Sequence, residues 1–169
     1  MDKSSRLTLV LGHAASGKSA WAEAQVLALG GRPTYVATAA LGDAEMAAKA
    51  RAHAARRGDA WVLIEGPEDL AATCRALTGP VLVDCATMWL TRLMMEDRDW
   101  QEPAAGWIDA MRGNRAIFHV VSNDVGGGVT PDNALARGFQ RAQGELNQRL
   151  AAAADRVVLV TAGLPQVLK

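Results

Sequence analysis

Apolar positions along the chain gather into short continuous runs, separated by stretches with helical spacing. Residues 7–11 form a Leu- and Val-rich run that stops at Gly12, and from about 18 to 28 the pattern becomes Ala-rich, helical and free of Pro and Gly. This predicts strand, loop, helix. Gly30-Gly31-Arg32-Pro33 then punctuates the chain, residues 34–37 read as a second strand, and residues 45–57 read as a helix that Gly58 stops. Short strands are expected at 61–64 and 81–83. Between them Gly66-Pro67-Glu68-Asp69 is expected to open a helix, with Pro and both acids in its first turn facing the positive end of the helix dipole.

Beyond Asp84 the spacing predicts a short helix carrying Met88, Trp89, Leu90, Leu93 and Met94, and the polar stretch 96–103 reads as a loop or insertion. Residues 117–121 read as a buried strand. Residues 135–154 read as a long helix with Leu135, Phe139, Ala142, Leu146 and Leu150 on one stripe, and residues 157–160 as the last strand. Because the strand runs are continuously apolar rather than alternating, both faces of the sheet should be covered. The expected class is α/β, with a mostly parallel central sheet flanked by helices and joined by right-handed crossovers. No internal repeat or low-complexity tract interrupts it.

Composition sharpens this picture. With 169 residues, half of them apolar, the chain can bury roughly two-thirds of its unfolded surface, which fits one domain spanning 1–169. Lys+Arg and Asp+Glu balance at 18 each, which removes the electrostatic argument for a nucleic-acid or anionic-membrane partner. The two cysteines, Cys74 and Cys85, fall in a predicted helix and at a predicted strand end and read as reduced packing residues. The N-terminus enters an apolar strand without a secretory signal, and no apolar run reaches the ~18 residues of a membrane span. A cytoplasmic protein is therefore expected.

The chemistry concentrates first at Gly12, His13, Ala14, Ala15, Ser16, Gly17, Lys18 and Ser19, which spell G-x-x-x-x-G-K-[ST] directly after a strand and directly before a helix. This is the setting of a P-loop. Backbone N–H groups wrap the phosphates of a nucleoside triphosphate, the helix N-terminus adds partial positive charge, Lys18 reaches the terminal phosphates and the Ser19 hydroxyl is a Mg²⁺ ligand. A Gly-rich turn that merely caps a helix is the ordinary alternative, and the strand-loop-helix context argues against it. Val81-Leu82-Val83-Asp84 supplies an acid at the end of a neighbouring strand, where a P-loop enzyme holds its Mg²⁺ shell. Asp84 could instead be the N-cap of the following helix.

His53 shares a predicted helix face with Lys49 and Arg57, with Arg56 adjoining. Cations there could hold phosphate oxygens and keep the imidazole unprotonated and nucleophilic. Spacing alone equally describes a solvated charged surface, which is the commoner case. His13 and His119 read as structural, one in the P-loop and one in a buried strand. The polar, Gly-rich stretch 122–133 follows a strand at the sheet edge where open α/β proteins bind ligands, and it could touch substrate or simply connect elements.

With these residues assembled, the chain resembles the bifunctional adenosylcobinamide kinase/adenosylcobinamide-phosphate guanylyltransferase family of cobalamin biosynthesis, over essentially residues 7–169. Besides the P-loop, the matching segments are Tyr35-Val-Ala-Thr-Ala39, Asp43-Ala-Glu-Met46 with His53 downstream, Trp61 with Glu65, Val83-Asp84-Cys85, the 122–133 loop and Asn147-Gln-Arg-Leu-Ala151. The resemblance implies a RecA-like P-loop NTPase fold and a homotrimer. It also implies two reactions, phosphorylation of adenosylcobinamide by ATP or GTP and transfer of GMP from GTP to the resulting phosphate, the second through a guanylylated histidine at His53. Ala37, Thr38, Ala39, Ala54, Ala55, Arg56, Arg57, Glu65 and Asp84 fall at nucleotide-contact positions of the family, and Mg²⁺ accompanies the triphosphate.

Departures from the family pattern are local. His13 and Ala15 stand where a second Gly and an Arg are usual, so one cation near the phosphates is missing. Asp124 replaces a usual Glu, Arg92 a common Asn, and Gln140-Arg141 a usual Arg-Asp pair. Two competing readings follow from the same motifs: a P-loop small-molecule kinase in which His53 is only a surface residue, and a GTP-binding regulatory module with no group transfer.

Overall fold

The structure, a computed structural model, describes residues 5–39 and 58–169. The expected helix at 45–57 lies outside the described residues. Among the described residues, seven strands form one sheet: β1 (Leu7–Gly12), β2 (Thr34–Ala37), β3 (Val62–Glu65), β4 (Pro80–Asp84), β5 (Ile117–Asn123), β6 (Arg156–Thr161) and β7 (Leu164–Val167). Their order is β3-β2-β4-β5-β1-β6-β7, with every pairing parallel except β6 with β7. Among the described residues the α-helices are α1 (Lys18–Leu27), α2 (Leu70–Ala76), α3 (Ala86–Met95), α4 (Gln101–Arg112) and α5 (Ala134–Ala153). The mostly parallel, helix-flanked α/β sheet expected from the continuous apolar runs is the one observed.

Successive side chains of a strand point to opposite faces, so each apolar run feeds two cores. Leu9, Val81, Val83, Phe118 and Val120 pack in the larger core with Cys74, Trp89, Leu90, Trp107, Leu146 and Leu150 from α2 to α5. Their neighbours Val10, Leu82 and Val121 pack on the other face with Ala22 and Val26 of α1 and with Tyr35 and Trp61. Each fully buried Leu or Val contributes about 1.5–3 kcal/mol, which is why the runs tolerate no polar interruption at these positions. Both cysteines are buried and unpaired, as their packing role predicts.

Several local expectations are corrected. Helix α2 starts at Leu70, later than the Gly-Pro-Glu-Asp stretch suggested. Asp69 is its N-cap, with Oδ1 accepting from Ala72 N at 2.8 Å. The 96–103 stretch is not all loop, because α4 begins at Gln101. Pro103 and Gly106 mask that helix in the sequence, yet Ala104, Trp107, Ile108 and Met111 make its buried stripe at helical spacing. Leu135, expected on the buried stripe of α5, is 69% exposed, while Gln143 on the inward face is fully buried. Strand β7 was not anticipated. It pairs antiparallel with β6 through the turn Ala162-Gly163, where both residues have positive φ (52° and 77°), the geometry of a two-residue hairpin.

Candidate functional site

Gly12 closes β1, and Gly17 (φ 88°) is the left-handed N-cap of α1. Neither position has room for a side chain. A Cβ on Gly12 would lie 2.7 Å from Val160 O and against Ser16 Oγ; one on Gly17 would lie 3.1 Å from Gly163 Cα. Between them the chain turns tightly, with the His13 carbonyl accepting from Ser16 N at 3.2 Å and from Lys18 Nζ at 3.1 Å. Gly163 N donates to Ser16 O at 2.7 Å, so the β6–β7 turn forms one wall of the loop. The eight residues from Gly12 to Ser19 thus present a backbone concavity at a helix N-terminus, built to receive an anion. Ala15 sits at φ 58°, an unusual conformation for a residue with a Cβ.

The other described site residues lie along the same carboxyl edge of the sheet. Ala37 is in register with Glu65 on one side and Asp84 on the other, placing three sequence-predicted positions in one row. The acid-bearing strand was expected beside β1, but β5 lies between them, with Val121 opposite Asp84 and Asn123 opposite Gly12. Asp84 is not a helix N-cap, since Cys85 occupies that position. Its Oδ2 accepts from the Tyr35 hydroxyl at 2.6 Å. Burial lowers the pKa of Lys18, while Cys85 and Asp84 oppose that shift. Since burial, with Asp84 beside it, pushes the Cys85 thiol up to about 12, it is neutral at physiological pH. With that thiol neutral, Asp84 is the charge that opposes the lowering at Lys18.

Thr38 is fully buried, and its hydroxyl is committed to the backbone: it donates to Cys85 O at 2.5 Å and accepts from Cys85 N at 2.8 Å. Ala39 and Glu65 remain at least partly accessible at the strand ends. His13 Nδ1 donates to Asp124 O at 2.8 Å, which ties the P-loop to the polar 124–133 segment. His53, Ala54, Ala55, Arg56 and Arg57 lie outside the described residues. His119 is buried in β5, as its structural reading expects.

Tyr35 and Gly163 were not assigned these roles from sequence. A strand pattern carries no sign that a hydroxyl at 35 meets a carboxylate at 84. Nor does the sequence announce the turn, because Ala162 is a poor residue for positive φ and Pro165 and Gln166 break the apolar pattern of the strand that follows. A cleft of about 550 Å³, lined by residues including Thr78, Asp109 and Asn114, lies by the amino-terminal ends of β4 and β5. It lacks any phosphate-binding loop, so the chemistry places the site at the opposite edge.

Hard oxygen donors are available for Mg²⁺ at Ser19, in the first turn of α1, and at the Asp84 carboxylate, of which Oδ2 is engaged by Tyr35. Among the described residues no three His, Cys, Asp or Glu side chains cluster as a metal cage. That composition suits Mg²⁺, which keeps several waters and takes the rest of its ligands from phosphate oxygens.

Fold and site together define a P-loop nucleotide-binding protein built on a mostly parallel, helix-flanked α/β sheet. The fold is shared with the flagellar accessory protein FlaH of Methanocaldococcus jannaschii, at a TM-score of 0.52 and 12% identity over 97% of this chain and 78% of that one. The family model described as cobinamide kinase / cobinamide phosphate guanyltransferase matches residues 8–168, and the chain belongs to that family. It is 38% identical to the bifunctional adenosylcobalamin biosynthesis protein CobP of Pseudomonas aeruginosa, over 95% of this chain and 96% of that protein. It is 34% identical to the bifunctional adenosylcobalamin biosynthesis protein CobU of Escherichia coli, over 96% of this chain and 99% of that one. The CobU protein of Salmonella typhimurium is 35% identical over the same shares.

Proposed function

We propose that the chain, as one nucleotide-binding domain, phosphorylates adenosylcobinamide with a nucleoside triphosphate and then transfers GMP from GTP to the product. The reading is carried by a P-loop with Lys18 at the carboxyl edge of the sheet, in a chain matching the cobinamide kinase family over residues 8–168. In the first reaction the backbone amides of the loop and Lys18 hold the terminal phosphates while the acceptor hydroxyl displaces the nucleoside diphosphate. Ser19 and Asp84, together with the phosphates, would hold Mg²⁺, which would supply charge neutralisation.

In the second reaction an imidazole nitrogen of His53 attacks the α-phosphorus of GTP and pyrophosphate leaves. An oxygen of the corrinoid phosphate then attacks the same phosphorus, releasing the imidazole and forming the GDP-linked product. Ala37, Thr38, Ala39, Ala54, Ala55, Arg56, Arg57 and Glu65 are assigned to the nucleotide on the family resemblance. Because the Thr38 hydroxyl is already used by Cys85, that residue contributes shape and backbone rather than a side-chain bond. A cytoplasmic location and a homotrimer complete the reading; no helix among the described residues is long and apolar enough to cross a membrane.

Incubation with GTP and Mg²⁺ followed by mass spectrometry tests it. A covalent GMP adduct on the protein, absent in His53→Ala, is expected, with cobinamide phosphorylation persisting in that variant. Phosphorylation without any adduct in the parent protein would leave only a small-molecule kinase. Nucleotide binding with no turnover of cobinamide would leave a regulatory module.

A further inference from the structure

Helix α5 carries three carboxamides, Gln140, Gln143 and Asn147, on the side that faces the sheet, where its apolar stripe would be expected to continue. Residues at i, i+3 and i+7 share a helix face, so the three act on one stretch of chain. That stretch is residues 122–125. Gln140 Nε2 donates to Val125 O at 3.1 Å, Gln143 Nε2 to Ser122 Oγ at 3.0 Å, and Asn147 Nδ2 to Asn123 O at 3.0 Å. Asn147 Oδ1 also accepts from Ser122 Oγ at 2.6 Å and from Gln143 Nε2 at 3.0 Å. Ser122 and Gln143 are fully buried. Leucine at these positions would pack at no desolvation cost, and Gln143 Oε1 lacks any partner, so the carboxamides cost stability that an apolar face would not.

What they hold is the junction between β5 and the phosphate loop. The Asn123 peptide is gripped on both sides, its N–H donating to Thr87 Oγ1 at 2.8 Å and its carbonyl accepting from Asn147. One residue on, Asp124 N donates to Gly12 O at 3.1 Å and Asp124 O accepts from His13 Nδ1 at 2.8 Å. Gly127 packs against the His13 ring, since a Cβ there would lie 3.6 Å from Cε1. The chain of contacts therefore runs from α5 through residues 123 and 124 into the first two residues of the P-loop.

We infer that Asn147 is a positioning residue for nucleotide binding: with Gln140 and Gln143 it fixes residues 122–125 and so braces the P-loop and the 124–133 segment against each other. Order in one segment then favours order in the other, and nucleotide bound in the P-loop stiffens the Gly-rich segment beside it. Asn147 does not touch the nucleotide and acts only through the backbone of residues 123 and 124. The inference rests on the P-loop being the nucleotide site and not on which acceptor takes the transferred group.

Hydrogen exchange on the full chain, with and without GTP and Mg²⁺, tests this alongside GTP affinity. In Asn147→Ala, amides of residues 12–17 and 124–128 should exchange faster together, GTP should bind about five- to tenfold more weakly, and exchange in β4 should be unchanged. Gln140→Ala, which loses only the bond to Val125, should loosen 124–128 more than 12–17 and still fold normally. Leu150→Ala, a buried apolar residue one turn further along the same helix, controls for general loss of stability and should not single out these two segments. The idea is overturned if Asn147→Ala raises exchange evenly along the chain, or leaves residues 12–17 and GTP affinity as they are in the parent. Failure of the parent protein to bind GTP at all would instead sink the nucleotide assignment.

Discussion

The Tyr35 hydroxyl donates to Asp84 Oδ2 across the β2–β4 pairing at 2.6 Å. Tyr35 is almost wholly buried, with its ring edge-on to Trp61 at 5.5 Å, so the hydroxyl has a fixed position. A hydrogen bond to a charged acceptor is worth about 1.5–3 kcal/mol, and Asp84 is accessible enough for water to recover part of that. Tyr35→Phe should therefore cost about 1.5 kcal/mol, a fall in Tm of roughly 3–6 °C for a chain of this size. If Asp84 serves the metal, the same variant should also need several-fold more Mg²⁺ for half-maximal GTP turnover. A lowered Tm with an unaltered Mg²⁺ titration would remove Asp84 from that role.

Ala15 adopts φ 58° within the phosphate loop. A left-handed conformation costs a residue with a Cβ about 1–2 kcal/mol, whereas Gly enters it freely and loses more chain entropy on folding. The first effect is the larger. Ala15→Gly should raise Tm by about 2–4 °C, measured by differential scanning calorimetry. A drop in Tm would mean that the strained loop is supported by contacts of the Ala15 methyl group.

How legible this molecule was in sequence follows from the range of each interaction. The P-loop could be read because its chemistry lies within eight consecutive residues, and the parallel sheet because continuous apolar runs are a local pattern. Strand order is not local. Asp84 was correctly placed at a strand end, but the insertion of β5 between it and the P-loop depends on a crossover that no residue spacing encodes. Helix α4 is hard to see because Pro103 and Gly106 resemble breakers, yet Pro103 lies in the first turn, where no intrahelical N–H is needed, and packing of Trp107 and Met111 offsets the cost of Gly106. The carboxamide face of α5 was invisible for the opposite reason: a helical wheel assigns Gln and Asn to solvent, and only the partners at 122–125 bring them inside.

Both thiols should be inert in the native protein. Burial pushes Cys74 and Cys85 up to about 12 each, Asp84 adding to the effect at Cys85, so almost no thiolate exists at pH 8. A chromogenic disulfide reagent at that pH should titrate neither group until denaturant is added, and then both. Rapid reaction of one thiol in the folded state would show that its surroundings open far more readily than this packing allows.

His119 gives the stability curve an acid limb. Burial, reinforced by Arg156, lowers its pKa from the ordinary 6.5 to about 4, and its Nδ1 has no hydrogen-bond partner. The folded protein thus carries a neutral ring at neutral pH. Below pH 6.5 the unfolded chain takes up a proton that the folded state refuses until about pH 4, so the unfolded state is favoured progressively as pH falls through that window. The full contribution is present above pH 6.5, and about 3 kcal/mol is lost by pH 4 at 1.36 kcal/mol for each pKa unit. His119→Gln should flatten this limb whatever it does to stability at pH 8, because its side chain does not titrate. Urea unfolding of both proteins between pH 4 and 8 measures the difference, and parallel curves would mean that the buried ring gains a proton as readily as a solvated one.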